Sequence, residues 1–229
     1  MSGILYLVST PMGNLEDITL RALNIFKSVD ALVCEEWKNG KALMRHYEFE
    51  CDIYRLNEHD KDESTPELLG LLKQGKKIAL TSDCGTPVFS DPGYDLVRLC
   101  HAHGISVQHI SGASSLISSL VVSGFSLDTF LYLGWLPRKT EERDRSLNRL
   151  KNEKSTAVVM ETPYRLIQLL EAVVRVLGSK RPISVCCNLT SENEFIKRGK
   201  AGTVLNHFKG LENKKHEFVL LIGGIKETL

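Results

Sequence analysis

Two stretches of this chain combine residue types that can do chemistry. In "CEEWKNG", Glu35 and Glu36 set two carboxylates at the end of an apolar run, and Glu58 and His59 follow the next such run. The longer stretch "TSDCGTPVFSDPGYDLVR", residues 81–98, places Asp83, Gly85, Asp91 and Gly93 among prolines. Carboxylates there can accept from hydroxyl or ammonium groups or take up a proton. The glycines let backbone approach a ligand, and Pro87 and Pro92 stiffen the frame. A connection of this length exceeds the ~2–6 residues usual between a strand and a helix, and long ordered loops tend to carry function. Each feature also has a plainer reading. Asp83 serves equally as an Asx-turn residue, Asp91 as the N-cap of a helix opened by Pro92, Glu35-Glu36 as a solvated helix start, and His59 as an exposed loop histidine.

The elements that hold these residues alternate along the chain. "ILYLVS" reads as a buried strand, followed by a helix capped by Asn14 with Leu15, Ile18, Ala22, Ile25 and Phe26 on one face. "ALVC", "DIYRL" and "KKIALTS" read as strands two to four, separated by the helices "KALMRHY" and "TPELLGLLKQG". This βαβα order predicts a mostly parallel sheet covered on both faces, with ligands beyond the carboxyl ends of its strands. Near Ser111 the texture changes to the small-residue stretch "SGASSLISSLVVSGFSLD", which marks a boundary between residues 1–111 and 112–229. Beyond it come "FLYLGWL", a charged helix "TEERDRSLNRLKNE", "TAVVME", a helix capped by Thr162 with Pro163 in its first turn, and then "ISVCCNL", "NEFIKRG" and "HEFVLLIGG". A short polar turn before "NEFIKRG" predicts antiparallel pairing in this half. The fold class expected is therefore α/β, in two α/β domains: a mostly parallel N-terminal sheet and a mixed C-terminal one.

Composition narrows the function. The 229 residues are 42% apolar and 25% charged, enough for one large or two small cores, and the formal net charge of +1 gives no global field to attract nucleic acid. Six cysteines without CxxC spacing and histidines without HxxxH or HExxH support no metal; free thiols in a reducing cytosol are expected. No run of about 18 apolar residues and no signal peptide is seen, so a cytoplasmic location without membrane contact is expected. Neither GxGxxG nor GxxxxGK[ST] occurs, which leaves the common dinucleotide and triphosphate cradles without support. Arg138-Lys139 and the mixed-charge segment after them read as a solvated face or as phosphate contacts.

In order, "LYLVSTPMGNLEDITLRAL", "SDCGTPVFSDPGYDLVR", "SGASSLISSLVVSGF", "FLYLGWLPRK", "ETPYRL" and "NLTSENEFIKRG" resemble the tetrapyrrole methylase superfamily, and within it the bacterial small-subunit rRNA (cytidine-2′-O-)methyltransferase branch. The resemblance implies a ligand cleft between the two domains, S-adenosylmethionine as methyl donor, ribosomal RNA or the small ribosomal subunit as partner, and a homodimer. It implies a donor pocket drawn from Pro11, Asp83, Gly85, Val88, Phe89, Ser114, Ser115, Tyr164 and Leu189, with Glu35 or Glu36 orienting or deprotonating the acceptor. Two other readings stay open: C-methylation of a tetrapyrrole, and a donor-binding homologue that has lost methyl transfer. The departures that motivate the latter are Glu35-Glu36-Trp37-Lys38 for the branch's Glu-Asp-Thr-Arg and Cys186-Cys187-Asn188-Leu189-Thr190-Ser191 for Ala-Arg-Glu-Leu-Thr-Lys; Thr162-Pro163-Tyr164-Arg165 also departs from the branch's Ser-Pro-His-Arg. A lysine cannot reproduce an arginine's bidentate grip on phosphate. The chain also stops just after "LLIGG", without the C-terminal helical extension of longer members.

Overall fold

The structure, a computed structural model, describes residues 3–213 and 215–229, which fall into two compact units, Met1–Ser114 and Ser115–Leu229. The division lies three residues beyond the expected boundary. Both units are α/β, as expected.

In the first unit, β1 (Ile4–Val8), β2 (Ala31–Cys34), β3 (Asp52–Arg55), β4 (Lys77–Thr81) and β5 (Ser106–Ile110) form one all-parallel sheet in the order β3-β2-β4-β1-β5. Side chains alternate across it. Leu5, Val33, Ile78 and Leu80 pack against α3 (Lys61–Lys73) and α4 (Tyr94–Ala102), while Tyr6, Val8, Leu32 and Ala79 pack against α1 (Leu20–Phe26) and residues of α2 (Trp37–His46). Helices thus cover both faces. Asn14 does act as a cap, its Oδ1 accepting from Glu16 N, but it caps a three-residue 3₁₀ turn, Leu15–Asp17; a second cap, Thr19, then starts α1. The continuous face expected from Leu15 to Phe26 is split accordingly, and Leu15 is exposed.

The second unit builds a mixed sheet in the order β6-β7-β10-β8-β9 from β6 (Phe130–Trp135), β7 (Thr156–Glu161), β8 (Pro182–Cys187), β9 (Phe195–Lys200) and β10 (Phe218–Ile222). β6 and β7 are parallel; β10 pairs antiparallel with β7 and β8, and β9 antiparallel with β8. One face is covered by α6 (Thr140–Asn148), α7 (Leu166–Leu177) and α8 (Ala201–Gly210), whose Leu147, Leu170, Val173, Val204 and Phe208 are buried against Val159, Val185 and Leu220. The other carries α5 (Ser115–Ser123), which contacts β8, β9 and β10. Its inward Ser119 and Ser123 are fully buried and donate to the carbonyls of Leu116 and Leu120, so small side chains bring the helix close without an orphaned hydroxyl.

Candidate functional site

The strand order of the first unit decides where its ligand-binding edge lies. From β1 the chain turns toward the face held by α1, and from β4 toward the face held by α4, although β1 and β4 are neighbours. Their carboxyl ends therefore part to opposite sides and leave the crevice in which open parallel sheets bind ligands. The loops meeting there are stitched together. Thr10 and Gly85 exchange N–H···O bonds of 2.9 and 3.0 Å, the Thr10 hydroxyl donates to Ser82 O, and Thr86 Oγ1 bridges Ser9 Oγ to the carbonyl of Ala113. Six residues expected around the donor, Pro11, Asp83, Gly85, Val88, Phe89 and Ser114, lie on these three loops. Gly85 has φ +78°, so the glycine is needed for the turn; a Cβ there would meet Met12 and the Ala113 carbonyl only at ordinary contact distances of 3.5–3.7 Å.

The loop after β4 is held under strain. Val88 and Ser90 have φ of 69° and 70°, a conformation that a β-branched residue adopts only when its surroundings impose it. Such strain gathers at ligand clamps. The loop's end differs from the expectation. Asp91 is not the N-cap of α4; that position is Gly93, at φ 128°, where a Cβ would come within 2.8 Å of Leu80 Cδ2. Asp91 is half-buried instead, with the Ser82 hydroxyl as partner.

Freed from capping, Asp91 joins an acidic group. Asp83 receives the Asn39 amide and the backbone N–H of Glu36, which ties the loop after β4 to the start of α2 on the neighbouring β2. Its side chain therefore does structural work and remains at the surface. Burial raises the carboxyl pKa of both Asp83 and Asp91 above the ordinary aspartate value, with smaller contributions from nearby carboxylates. Glu35 is raised likewise, first by burial and then by Asp83, Asp91, Glu36 and Glu58. Cys34, beneath them, is pushed up to about 11 by burial, with Asp83 adding to the shift. The arrangement is a half-desolvated set of carboxyls whose mutual repulsion a cationic ligand would relieve, and in which Glu35 is poised to take up a proton. Glu36 is exposed and its backbone is spent on Asp83. His59 is exposed; the preceding Asn57 closes an Asx turn, and Glu58 pairs with Lys61. Among the described residues no three His, Cys, Asp or Glu side chains are grouped to hold a metal, and no helix is long and apolar enough to cross a membrane.

In the second unit the register of the sheet sets Glu161 opposite Phe218, Phe218 opposite Cys187 and Cys187 opposite Phe195, so the segments following β7 and β8 and preceding β10 share one edge. Leu189 is buried on this edge, between Asn188 and Thr190, whose φ values of 49° and 65° mirror the strained loop of the first unit. Tyr164 is 74% exposed, and Ser115 opens α5. Beneath Tyr164 lies a pair that the sequence did not reveal. Glu161 is buried; its Oε1 accepts from Thr162 N, and its Oε2 stands 3.2 Å from Arg165 Nη1 in an ionic contact without hydrogen-bond alignment. Arg165 Nη2 also donates to Pro137 O, joining the segments after β6 and β7.

The comparisons with known proteins bear on this arrangement. Residues 4–205 match the family described as Tetrapyrrole (Corrin/Porphyrin) Methylases. A ribosomal RNA small subunit methyltransferase I of Escherichia coli O157:H7 is 38% identical over 98% of this chain and 79% of its own length, and one of Thermotoga maritima is 39% identical over 90% and 92%. The crystal structure of uroporphyrin-III C-methyltransferase from Thermus thermophilus, complexed with S-adenyl homocysteine, superposes with a TM-score of 0.67 at 19% identity, covering 96% of this chain and 97% of that one; it shows the shared fold. With a family match over most of its length and relatives at nearly 40% identity, this chain belongs to the tetrapyrrole (corrin/porphyrin) methylase family.

Proposed function

We propose that this chain is an S-adenosylmethionine-dependent methyltransferase whose acceptor is small-subunit ribosomal RNA, at a ribose 2′-hydroxyl. The observation that carries the acceptor is the similarity, over 90–99% of this chain, to ribosomal RNA small subunit methyltransferases I at 36–39% identity, against under 20% for the tetrapyrrole methyltransferases of the same fold. The donor site rests on the crevice at β1 and β4 and its carboxyl group. The donor supplies an electrophilic methyl on a sulfonium. The acceptor oxygen displaces it, the C–S bond breaks as the O–C bond forms, and the hydroxyl proton must leave. Half-desolvated carboxyls favour a ligand that brings both an ammonium and a sulfonium charge, and backbone at Gly85 and Val88 can approach its ribose and adenine. Pro11, Asp83, Phe89, Ser114, Ser115 and Leu189 remain its proposed neighbours. Glu35 is the proposed proton acceptor, since its raised pKa brings it closer to the operating pH than an ordinary carboxylate. With a ribosomal subunit as acceptor, the proposed location is the cytoplasm.

Titration calorimetry tests the donor site. The chain is expected to bind S-adenosylmethionine with micromolar affinity, about −8 kcal/mol. Because a cation lowers the raised carboxyl pKa values, binding at a pH just above the ordinary carboxylate range is expected to release protons, seen as a dependence of the heat on the buffer's ionisation enthalpy. No binding by the folded chain would contradict the reading.

A homodimer also belongs to it. Ile117 and Val121 on α5, and Phe130 and Leu131 on the edge strand β6, are exposed apolar residues that a second copy of this chain can cover. Sedimentation at micromolar concentration is expected to give a dimer; a monomer alone would remove this part.

A further inference from the structure

The edge of the second sheet that carries Tyr164 also carries a set of cations whose placement is built rather than incidental. The Lys215 ammonium lies 4.8 Å from the centroid of the Tyr164 ring, over its face. Lys215 is fixed by its neighbours: its N–H donates to Asn213 Oδ1, and the ring of His216 lies 3.1 Å by Nε2 from Asn213 O and 3.3 Å by Nδ1 from Asn188 Nδ2, edge-on to Phe195 and Phe208. The other side of the pair is fixed too. Arg165, directly after Tyr164, is clamped by Glu161 and by Pro137 O, and this last bond brings the exposed Arg138-Lys139 turn to the same edge. Nearby carboxylates are partly committed: Glu161 to Arg165, and Glu194 to the N–H of Thr190, leaving Glu192 and Glu217 exposed.

An aromatic ring with one face under an ammonium and most of its surface in water is poorly suited to enclose an adenosine, and well suited to a flat, electron-rich base flanked by phosphate. We propose that Tyr164 and Lys215 form a contact site for single-stranded RNA: a nucleobase stacks on the open face of Tyr164, while Lys215 and the Arg138-Lys139 turn meet the adjoining phosphates. The proposal rests on the rRNA reading above, and moves Tyr164 from the donor pocket to the acceptor. It also accounts for how a chain of net charge +1 can hold RNA, through a local patch rather than a global field.

The test compares wild type with Tyr164→Ala, Tyr164→Phe and Lys215→Gln. Equilibrium affinity for purified small ribosomal subunits lacking the modification is measured beside affinity for S-adenosylmethionine and transfer of labelled methyl. Tyr164→Ala is expected to weaken subunit binding about tenfold, Tyr164→Phe to retain it, and Lys215→Gln to reduce the salt dependence of log affinity by about 0.7. All are expected to keep donor affinity within about twofold. Weakened donor binding with unchanged subunit binding would return Tyr164 to the donor pocket and overturn the proposal, as would no change in either or a wild type that binds no subunits. Absence of methyl transfer by a wild type that binds subunits through this patch would contradict the proposed function while leaving the contact site standing.

Discussion

Replacing Glu35 by Gln is expected to lower kcat by about 100-fold, to weaken affinity for the cationic methyl donor by far less than that, and to raise the melting temperature of the ligand-free protein. The first effect follows if Glu35 takes the acceptor's proton, a contribution of about 10²–10⁴-fold for a positioned base. The third follows from its surroundings whatever its role. Burial and the carboxylates of Asp83, Asp91, Glu36 and Glu58 hold its pKa above the ordinary glutamate value in the folded chain. Between an unfolded value of about 4.3 and the higher folded one, the native state binds more protons than the unfolded state. Stability of the ligand-free protein therefore falls as pH rises through that window, and the deficit is complete once pH exceeds the folded value. A neutral isostere removes it. The acid limb of the wild-type rate profile should lie above the ordinary carboxylate range for the same reason, and Glu35→Gln should abolish that limb. Loss of activity together with higher stability is the pattern expected of a group kept for chemistry. A variant that is less stable and fully active would assign Glu35 to structure.

Arg165→Ala is expected to cost about 3–5 kcal/mol of stability, because it leaves the Glu161 carboxylate buried and unpaired. The Glu161 side chain is only 1% exposed and that of Arg165 19%, so water can do little to replace the guanidinium. For a chain of this size the loss corresponds to a fall in melting temperature of about 10 °C. Arg165→Lys should recover part of it, since an ammonium keeps the charge but cannot reach Pro137 O and Glu161 with a planar fork. The double variant Glu161→Gln with Arg165→Met should lie much closer to wild type than Arg165→Ala alone. Calorimetric unfolding of the four proteins distinguishes this account from one in which the pair is a neutral surface contact, for which all four would melt together.

The sequence signals that proved reliable were local ones. Apolar runs placed nine of the ten strands of the described residues, and Gly124, at φ 68° just past α5, ended that helix where its small-residue pattern stopped; β5 (Ser106–Ile110) is mostly polar and solvent-facing and carries no such run to signal it. What failed depended on tertiary context. Asp91-Pro92 has the form of a helix start, yet packing of Leu80 and Val88 against Gly93 moves the start to Tyr94 and frees Asp91 for the acidic group. The charged helix expected over residues 140–153 ends at Asn148, although Leu150 beyond it is still buried beside Leu147 in the same core. Pro66, expected near a helix start, sits inside α3, which begins five residues earlier at Lys61. The candidate site was visible as residue types but not as a constellation. Glu35 and Asp83 approach only because β2 and β4 are neighbours in a sheet whose order does not follow the chain, and no periodicity encodes that order. Val88 was invisible as a strained residue for a simpler reason: β-branched side chains disfavour a positive φ, so its conformation is imposed by the loop.

The most direct test of the central claim is transfer of labelled methyl from S-adenosylmethionine by the purified chain to small ribosomal subunits from a strain lacking the gene, followed by mapping of the modified nucleotide. The account predicts incorporation into the small-subunit RNA at a single ribose 2′-oxygen, at a rate lowered about 100-fold in Glu35→Gln. A folded, donor-binding chain that labels no rRNA, or that methylates a tetrapyrrole instead, would contradict it.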